Sequence, residues 1–286
     1  MKTRRNSILA IILICVLAMN FTNRVNATKT ITIQAVDKNV SADALSQSAK
    51  VISARLHDFS VDPIEISVVP EKSSIQVTVS DNTDVATVES LMTQKGEIGF
   101  YTVCGHDEAL ELLKDNKQLF LLLDNKDTNI HSPQLGCCTL SQKEKVDDYL
   151  NSMKQSPAYK LVWNRLSDNT EICLFALHTE NGNGLALSGA DMEQVIVKQD
   201  KSHTRNYVEF SFKGDVIKRW ADITRQNIGN SIAIVLDNTV LSSPRVNASI
   251  EGGKCAITGN FSEKEVRLFA AFGNNGTLPL SFTLVK

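Results

Sequence analysis

The chain has 286 residues, of which 42% are hydrophobic, 6% aromatic and 22% charged. This composition excludes a disordered or fibrous protein, and the length suffices for one large or two small hydrophobic cores. The formal net charge of −2, without any basic run interleaved with aromatic residues, disfavours a protein that binds nucleic acid or anionic lipid.

The N-terminal segment has the pattern of an export signal. Arg4 and Arg5 precede an apolar run from Ile8 to Phe21, and Val25-Asn26-Ala27 supplies a cleavage site. We predict that residues 1–27 form a signal peptide or an N-terminal anchor, with residues 8–21 as the membrane tether in the anchored form. No later run reaches the roughly 20 apolar residues that a spanning helix needs. The protein is therefore predicted to be exported, and either soluble or N-terminally anchored.

Residues 28–103 are predicted to form a compact α+β domain. Alternation of apolar and polar residues predicts strands at 30–36, 64–68, 75–79 and 97–103. Ser41 is predicted to cap a first helix, and a second helix with one apolar face follows the third segment. The order β-α-β-β-α-β is that of a ferredoxin-like unit.

Residues 104–185 have a weaker pattern and are predicted to be a variable insertion. We expect helices near 108–113 and 141–154 and strands at 119–123, 160–163 and 172–177. These elements are joined by a loop with Pro133 and Gly136, and Asn181-Gly182-Asn183-Gly184 is the expected closing turn.

Residues 186–286 predict another α+β unit. A strand is expected at 207–212 and a central strand at 232–236, followed by a turn at Asp237-Asn238 and a last helix at 263–272. Asp191 is expected to cap a turn. A helix is expected to begin at Asp215, with these residues on its buried side: Ile217, Trp220, Ala221 and Ile228.

Short motifs in fixed order resemble the head of the first periplasmic domain of SecD, a subunit that with SecF helps drive proteins across the bacterial inner membrane. The motifs are Asn227-Ile228-Gly229, residues 233–237, Ser243-Pro244-Arg245-Val246, Gly252-Gly253, residues 257–261 and Leu278-Pro279-Leu280. Residues 30–103 resemble the base of that domain more loosely, and residues 104–185 resemble the variable insertion of some fused SecDF proteins.

The resemblance implies an α+β fold with a base, an insertion and a SecD-like head. It places the protein on the periplasmic side of the inner membrane and implies as partners a translocating or unfolded polypeptide or subunits of the Sec translocase. The membrane helices that follow the head in the family are not expected here, so the protein would not itself couple protons to export.

Cysteine and histidine residues of the insertion are the candidate soft metal ligands. Of the six cysteines in the sequence, five follow the predicted signal, and an odd number leaves at least one thiol unpaired. The sequence leaves open whether the others form disulfides or are buried free thiols. The candidate ligands are Cys104, His106, His131, Cys137 and Cys138. Their spacing differs from the paired steps of structural zinc sites, so we predict no metal and no cofactor.

Common hydrolase, metalloprotease, redox and nucleotide-binding motifs are missing from the sequence. We therefore predict no catalytic residue, and the sequence leaves the binding residues unassigned. Surface positions are expected for the histidines: His57, His106, His131, His178 and His203. The predicted function is non-catalytic and accessory to protein export. The alternatives are an envelope interaction domain with a different partner and, less favoured, a secreted enzyme whose site lies in the insertion.

Overall fold

The computed structural model describes residues 27–124, 132–154, 156–164, 171–179, 185–200, 202 and 204–285. The predicted signal segment, the expected closing turn at 181–184, His131 and His203 lie outside these ranges. Within them, no helix has both the length and the apolar character needed to cross a membrane.

The base follows the predicted order of elements. They are β1 (Thr28–Ala35), α1 (Ala42–Asp58), β2 (Glu65–Val69), β3 (Ser74–Ser80) and α2 (Val85–Thr93). The Ser41 hydroxyl accepts a hydrogen bond from the Ala44 N–H at 3.1 Å and caps α1 as predicted. Leu45, Ile52 and Leu56 of α1 are fully buried, so this helix holds the base core together through its apolar face.

The strand that completes the base sheet comes from the far end of the sequence. The antiparallel strand order is β14-β1-β3-β2, with β14 at Phe282–Leu284. The sequence predicted that residues 97–103 would complete this sheet. The strand found there, β4 (Ile98–Thr102), belongs to another sheet instead. Its first three residues are buried, and it pairs on both sides with head strands. The α+β class is confirmed, but residues 282–284 and not 97–103 close the ferredoxin-like unit.

The insertion forms a separate small layer with its own core. It contains α3 (His106–Asp115), α4 (Lys117–Leu122), β5 (Gly136–Thr139), α5 (Leu140–Ser152), β6 (Tyr159–Trp163) and β7 (Glu171–His178), with strand order β5-β7-β6. The strand predicted at 119–123 is wrong. Leu119 and Leu123 are buried whereas Phe120 and Leu121 are exposed, which is the spacing of a helix face.

The head contains two antiparallel sheets with two helices. Its elements are β8 (Leu185–Ser188), β9 (Met192–Gln199), β10 (Asn206–Phe212), α6 (Val216–Gln226), β11 (Ile232–Leu236), β12 (Thr239–Ser242), β13 (Lys254–Phe261) and α7 (Glu263–Asn275). The strand orders are β12-β11-β4-β8 and β13-β10-β9. Asp191 accepts a hydrogen bond from the Ser188 N–H at 2.7 Å and closes a turn as predicted. Ile228, predicted to be buried, is 51% exposed because it lies beyond the end of α6.

Arg55 joins the base to the residues that lead into and out of the head. Its side chain is fully buried. The guanidinium donates hydrogen bonds to the carbonyls of Leu91, Gln94, Lys95 and Gly276. One cation therefore satisfies the end of α2, the entry to the head and its exit.

Asp237 faces the same junction from the head. Its carboxylate accepts hydrogen bonds from the N–H groups of Gly96 (2.9 Å) and Glu97 (2.7 Å). Burial lowers the pKa of Arg55 to about 10, and the negative charge of Asp237 partly offsets that decrease. Asp237 and Asn238 have φ values of 46° and 64°, which confirms the predicted tight turn between β11 and β12.

Asp84 links the base to α7 at the surface. Its carboxylate accepts a hydrogen bond from Lys264 at 2.8 Å and caps α2 by accepting from the N–H and hydroxyl of Thr87. The bond from Lys264, with those from Thr87, lowers the pKa of Asp84 from 3.8 to about 2.

We expect Asp84→Asn to keep the helix cap and to lose the ion pair, because asparagine is also a good N-cap. The folded-state pKa lies below the unfolded value, so the stabilisation is present above about pH 4 and is lost as the pH falls towards 2. The wild type should therefore exceed the variant in unfolding free energy, by less than about 1 kcal/mol since the pair is exposed. Urea denaturation at several pH values measures this difference. If the difference in unfolding free energy between wild type and Asp84→Asn stayed constant from neutral pH to pH 2, the ion pair would not be its origin. The difference between wild type and Lys264→Gln should also decrease as the pH falls.

Candidate functional site

An apolar cavity of about 370 Å³ lies in the head between α6, strands β10, β11 and β13, and residues 244–250. Phe100 of β4, Phe210 of β10 and Trp220 of α6 are among the residues that line it. The cavity is thus built from elements of both head sheets and one helix.

Three of the lining residues belong to a cluster of four aromatic rings, with Phe212 packed behind them. Phe100 packs against Phe210, Phe212 and Trp220 with ring centroids 5.1 to 5.6 Å apart, and Phe212 lies 4.9 Å from Trp220. All four side chains are at most 2% exposed. Tilted and edge-on pairs at these distances are favourable, so ring contacts stabilise this wall.

Trp220, one of the residues that line the cavity, has an unpaired hydrogen-bond donor. Its indole Nε1 is buried and has no hydrogen-bond partner among the described residues. A buried donor without an acceptor costs about 1–3 kcal/mol. An acceptor on a bound molecule, such as a main-chain carbonyl, would remove this cost.

Residues 244–250 form a second wall that is fixed near both ends. The Val246 N–H donates to the Asn230 carbonyl at 2.8 Å, and the Ile250 N–H donates to the Thr224 hydroxyl at 2.9 Å. Between these anchors, residues 247–248 are exposed. The middle of this segment is therefore available at the mouth of the cavity.

The two edges of the sheet β13-β10-β9 differ. The side-chain amide of Asn274 accepts from the Val195 N–H (2.8 Å) and donates to the Val195 carbonyl (3.1 Å), which covers the edge at β9. In the described part of the chain, β13 pairs only with β10, and its residues 254–256 line the cavity. An edge strand can accept a further extended chain through its main-chain N–H and carbonyl groups. Residues 254–256 of this edge strand also line the apolar cavity, so both features occur at one place.

The predicted soft ligands do not form a single site. Cys137 is bonded to Cys173 in a disulfide, which removes it as a ligand. Cys104 and Cys138 are buried free thiols, and Cys255 is a free, half-buried thiol. The expectation of at least one unpaired thiol is therefore confirmed in the described residues.

His178 is not the surface histidine that the sequence predicted. Its side chain is 18% exposed, and Nε2 lies 3.3 Å from a carboxylate oxygen of Glu108. Burial and the negative charge of Glu108 raise the pKa of the neighbouring Cys104 thiol to about 12. A thiol that keeps its proton at neutral pH is a poor nucleophile, which disfavours Cys104 as the nucleophile of an enzyme whose site lies in the insertion.

Trp220 lies on the buried face of α6 as predicted. The other walls of the cavity were not predicted from the sequence. The fold of residues 244–250 onto Asn230 and Thr224 follows from contacts between distant segments. The alternation of apolar residues in β13 predicts a strand at most, and it carries no information on which edge of that strand is free.

Comparisons with known proteins agree with the motifs in the sequence. Residues 178–280 match the model of the family described as SecDF, P1 head subdomain. Protein translocase subunit SecD of Acidaminococcus fermentans is 37% identical over 100 residues, which are 35% of this chain and 24% of that protein. SecD of Rickettsia conorii is 34% identical over 105 residues, or 37% of this chain and 19% of that protein. The chain thus spans about a fifth to a quarter of these relatives.

Two solved structures share the fold. The crystal structure of SecDF in its super-membrane-facing form matches 90% of this chain and 29% of that chain, with a TM-score of 0.56 and 20% identity. A second structure, of a membrane component SecDF that enhances protein export, matches 90% of this chain and 98% of that chain, with a TM-score of 0.53 and 20% identity. The resemblance to a SecD or SecDF periplasmic domain is confirmed.

Proposed function

We propose, on the premise that residues 178–280 form a SecDF-type P1 head, that this protein is a non-catalytic accessory of protein export. The head would bind an unfolded or translocating polypeptide at the cavity beside Trp220. The proposal places the protein on the periplasmic side of the bacterial inner membrane, where it would meet subunits of the Sec translocase. The observation that supports it most directly is the apolar cavity, which Trp220 and residues 254–256 line, beside a strand that pairs only with β10 in the described residues.

The dimensions of the cavity favour part of a chain over a whole small ligand. A volume of about 370 Å³ lies at the lower end of the range of ligand sites, about 300–1,000 Å³. It accommodates a few apolar side chains of an extended segment, while the main chain of that segment pairs with β13. In strand addition the main-chain hydrogen bonds supply affinity and the side-chain pocket supplies preference. Such a site would accept many sequences, which an accessory of export requires.

Trp220→Phe tests the role of the indole N–H, because phenylalanine keeps an aromatic ring and removes the donor. We expect the affinity for a labelled, unfolded apolar peptide to fall by up to about tenfold, since one hydrogen bond contributes about 0.5–1.5 kcal/mol. Fluorescence anisotropy of the labelled peptide measures the change. Trp163→Phe in the insertion is the matched control and should leave the affinity unchanged. If Trp220→Phe and the wild type are both folded and bind the peptide with equal affinity, the indole N–H does not contribute to binding.

Photo-crosslinking in cells tests the biological partner. A crosslinking residue at position 247 or 248 lies at the mouth of the cavity, and one at Glu71, exposed in the base, is the control. In cells with an arrested secretory precursor, adducts to the precursor or to Sec subunits from 247 and 248 but not from 71 would support the proposal. Adducts only to other envelope proteins would favour the interaction domain with a different partner. Equal adducts from all three positions would exclude the cavity as the specific site.

A further inference from the structure

Three side chains of types that can bind metal ions lie close together near the two ends of the insertion. The ligand atoms of Cys104, Glu108 and His178 all lie within 4.8 Å of one another. Cys104 follows β4, Glu108 lies in the first turn of α3, and His178 is the last residue of β7. The hydrogen bond from the Cys104 N–H to the Ala176 carbonyl at 2.9 Å holds the two ends together.

Two of the three side chains are oriented by a second contact. The Nδ1 atom of His178 lies 2.9 Å from the Thr102 hydroxyl, which directs Nε2 towards Glu108. One carboxylate oxygen of Glu108 accepts a hydrogen bond from the Gly105 N–H at 2.7 Å. Metal-binding histidines usually have such a partner on the other ring nitrogen, and ligating carboxylates are themselves hydrogen bonded.

We propose that Cys104, Glu108 and His178 bind a divalent transition-metal ion of the zinc class. Thiolate, imidazole and carboxylate are each common zinc ligands, and three protein ligands leave a fourth position open. The thiol disfavours magnesium and calcium, which prefer oxygen ligands.

The ion would connect the two ends of the insertion. Cys104 and Glu108 lie at the start of the insertion and His178 lies near its end, so a bound ion would close the long segment of chain between them. Closing a long loop limits the unfolded chain and stabilises the fold. Binding releases the Cys104 thiol proton to solvent, because the thiolate is the ligand. The inference does not depend on the proposed role in export.

Cobalt provides a direct test, because Co²⁺ replaces Zn²⁺ and absorbs light when a thiolate binds it. We expect the purified protein, kept without reductant so that the disulfide between Cys137 and Cys173 remains, to bind one equivalent of Co²⁺ with a thiolate-to-cobalt charge-transfer band. Zn²⁺ should displace the cobalt, and either ion should raise the temperature of unfolding by mass action. Cys104→Ser should abolish the band. Glu108→Gln and His178→Asn should each weaken affinity at least tenfold.

Cys138→Ser is the matched control, because Cys138 is another buried free thiol in the core of the insertion. It should bind cobalt as the wild type does. Glu108→Gln keeps an acceptor for the Gly105 N–H, so this variant decides the outcome if Cys104→Ser fails to fold. Absence of the band in the wild type, its persistence in Cys104→Ser, or unchanged affinity in Glu108→Gln and His178→Asn would show that the cluster is only an ion pair beside a buried thiol.

Discussion

Replacement of Arg55 by methionine is expected to lower the free energy of unfolding by at least about 3 kcal/mol. Methionine fills much of the same space but donates no hydrogen bond, so the carbonyls of Leu91, Gln94, Lys95 and Gly276 lose a charged donor. Each buried acceptor that loses its partner costs about 1–3 kcal/mol, although the Lys95 carbonyl keeps the bond from the Leu278 N–H and partial relaxation reduces the sum. Urea denaturation followed by circular dichroism measures the effect.

A second arginine provides the control for this prediction. Arg267 on α7 binds Glu263 at the surface, where its side chain is 41% exposed. Arg267→Met should cost less than about 1 kcal/mol, as exposed ion pairs do. Arg55→Lys should give an intermediate loss because one ammonium cannot reach all four carbonyls. If Arg55→Met were no more costly than Arg267→Met, Arg55 would not be the residue that holds base and head together.

Gly96→Ala is expected to cost about 3 kcal/mol or more. Gly96 has φ +76°, and a Cβ atom there would lie 2.1 Å from Nη2 of Arg55. The left-handed conformation costs a non-glycine residue about 1–2 kcal/mol, and the buried guanidinium would have to move from its carbonyl partners, which adds the cost of overpacking. Thermal and urea denaturation of the variant measure the total.

Gly276→Ala separates the two contributions. Gly276 also has a positive φ, +69°, but a Cβ there would meet no atom within 4 Å. Its cost should therefore be backbone strain alone, which is about 1–3 kcal/mol because φ +69° with ψ −169° is a conformation that essentially only glycine adopts. In the Arg55→Met background, Gly96→Ala should cost less than in the wild type, because the guanidinium that it displaces is gone. Strict additivity of the two changes would contradict the steric origin.

Local pattern predicted most base elements but not their final pairing. The alternation in β2 and β3 and the apolar face of α1 depend on near neighbours in sequence, so the sequence reveals them. Which strand lies beside β1 depends on residues far along the chain. The three residues of β14 are too few to show a period. Residues 119–123 are nearly all leucine, and such a run fits a helix or a strand equally well.

The two proposed sites differ in how much of each the sequence reveals. Trp220 was predicted to be buried from the apolar face of α6, but the wall of the cavity formed by residues 244–250 depends on contacts with distant segments. Glu108 and His178 are far apart in sequence, and neither lies at a ligand spacing from the other. They meet because the chain around Cys104 pairs with the end of β7, a contact that no local pattern encodes.

The pairing of β14 with β1 also determines the order in which the protein can fold. Ile33 pairs with Leu284, so one side of β1 has no neighbour until the residues of β14 are available. Contacts between such distant residues form slowly, because a large loop must close first. In a chain that emerges from its N-terminus, as during synthesis, the base sheet would be the first to begin forming and the last to be completed.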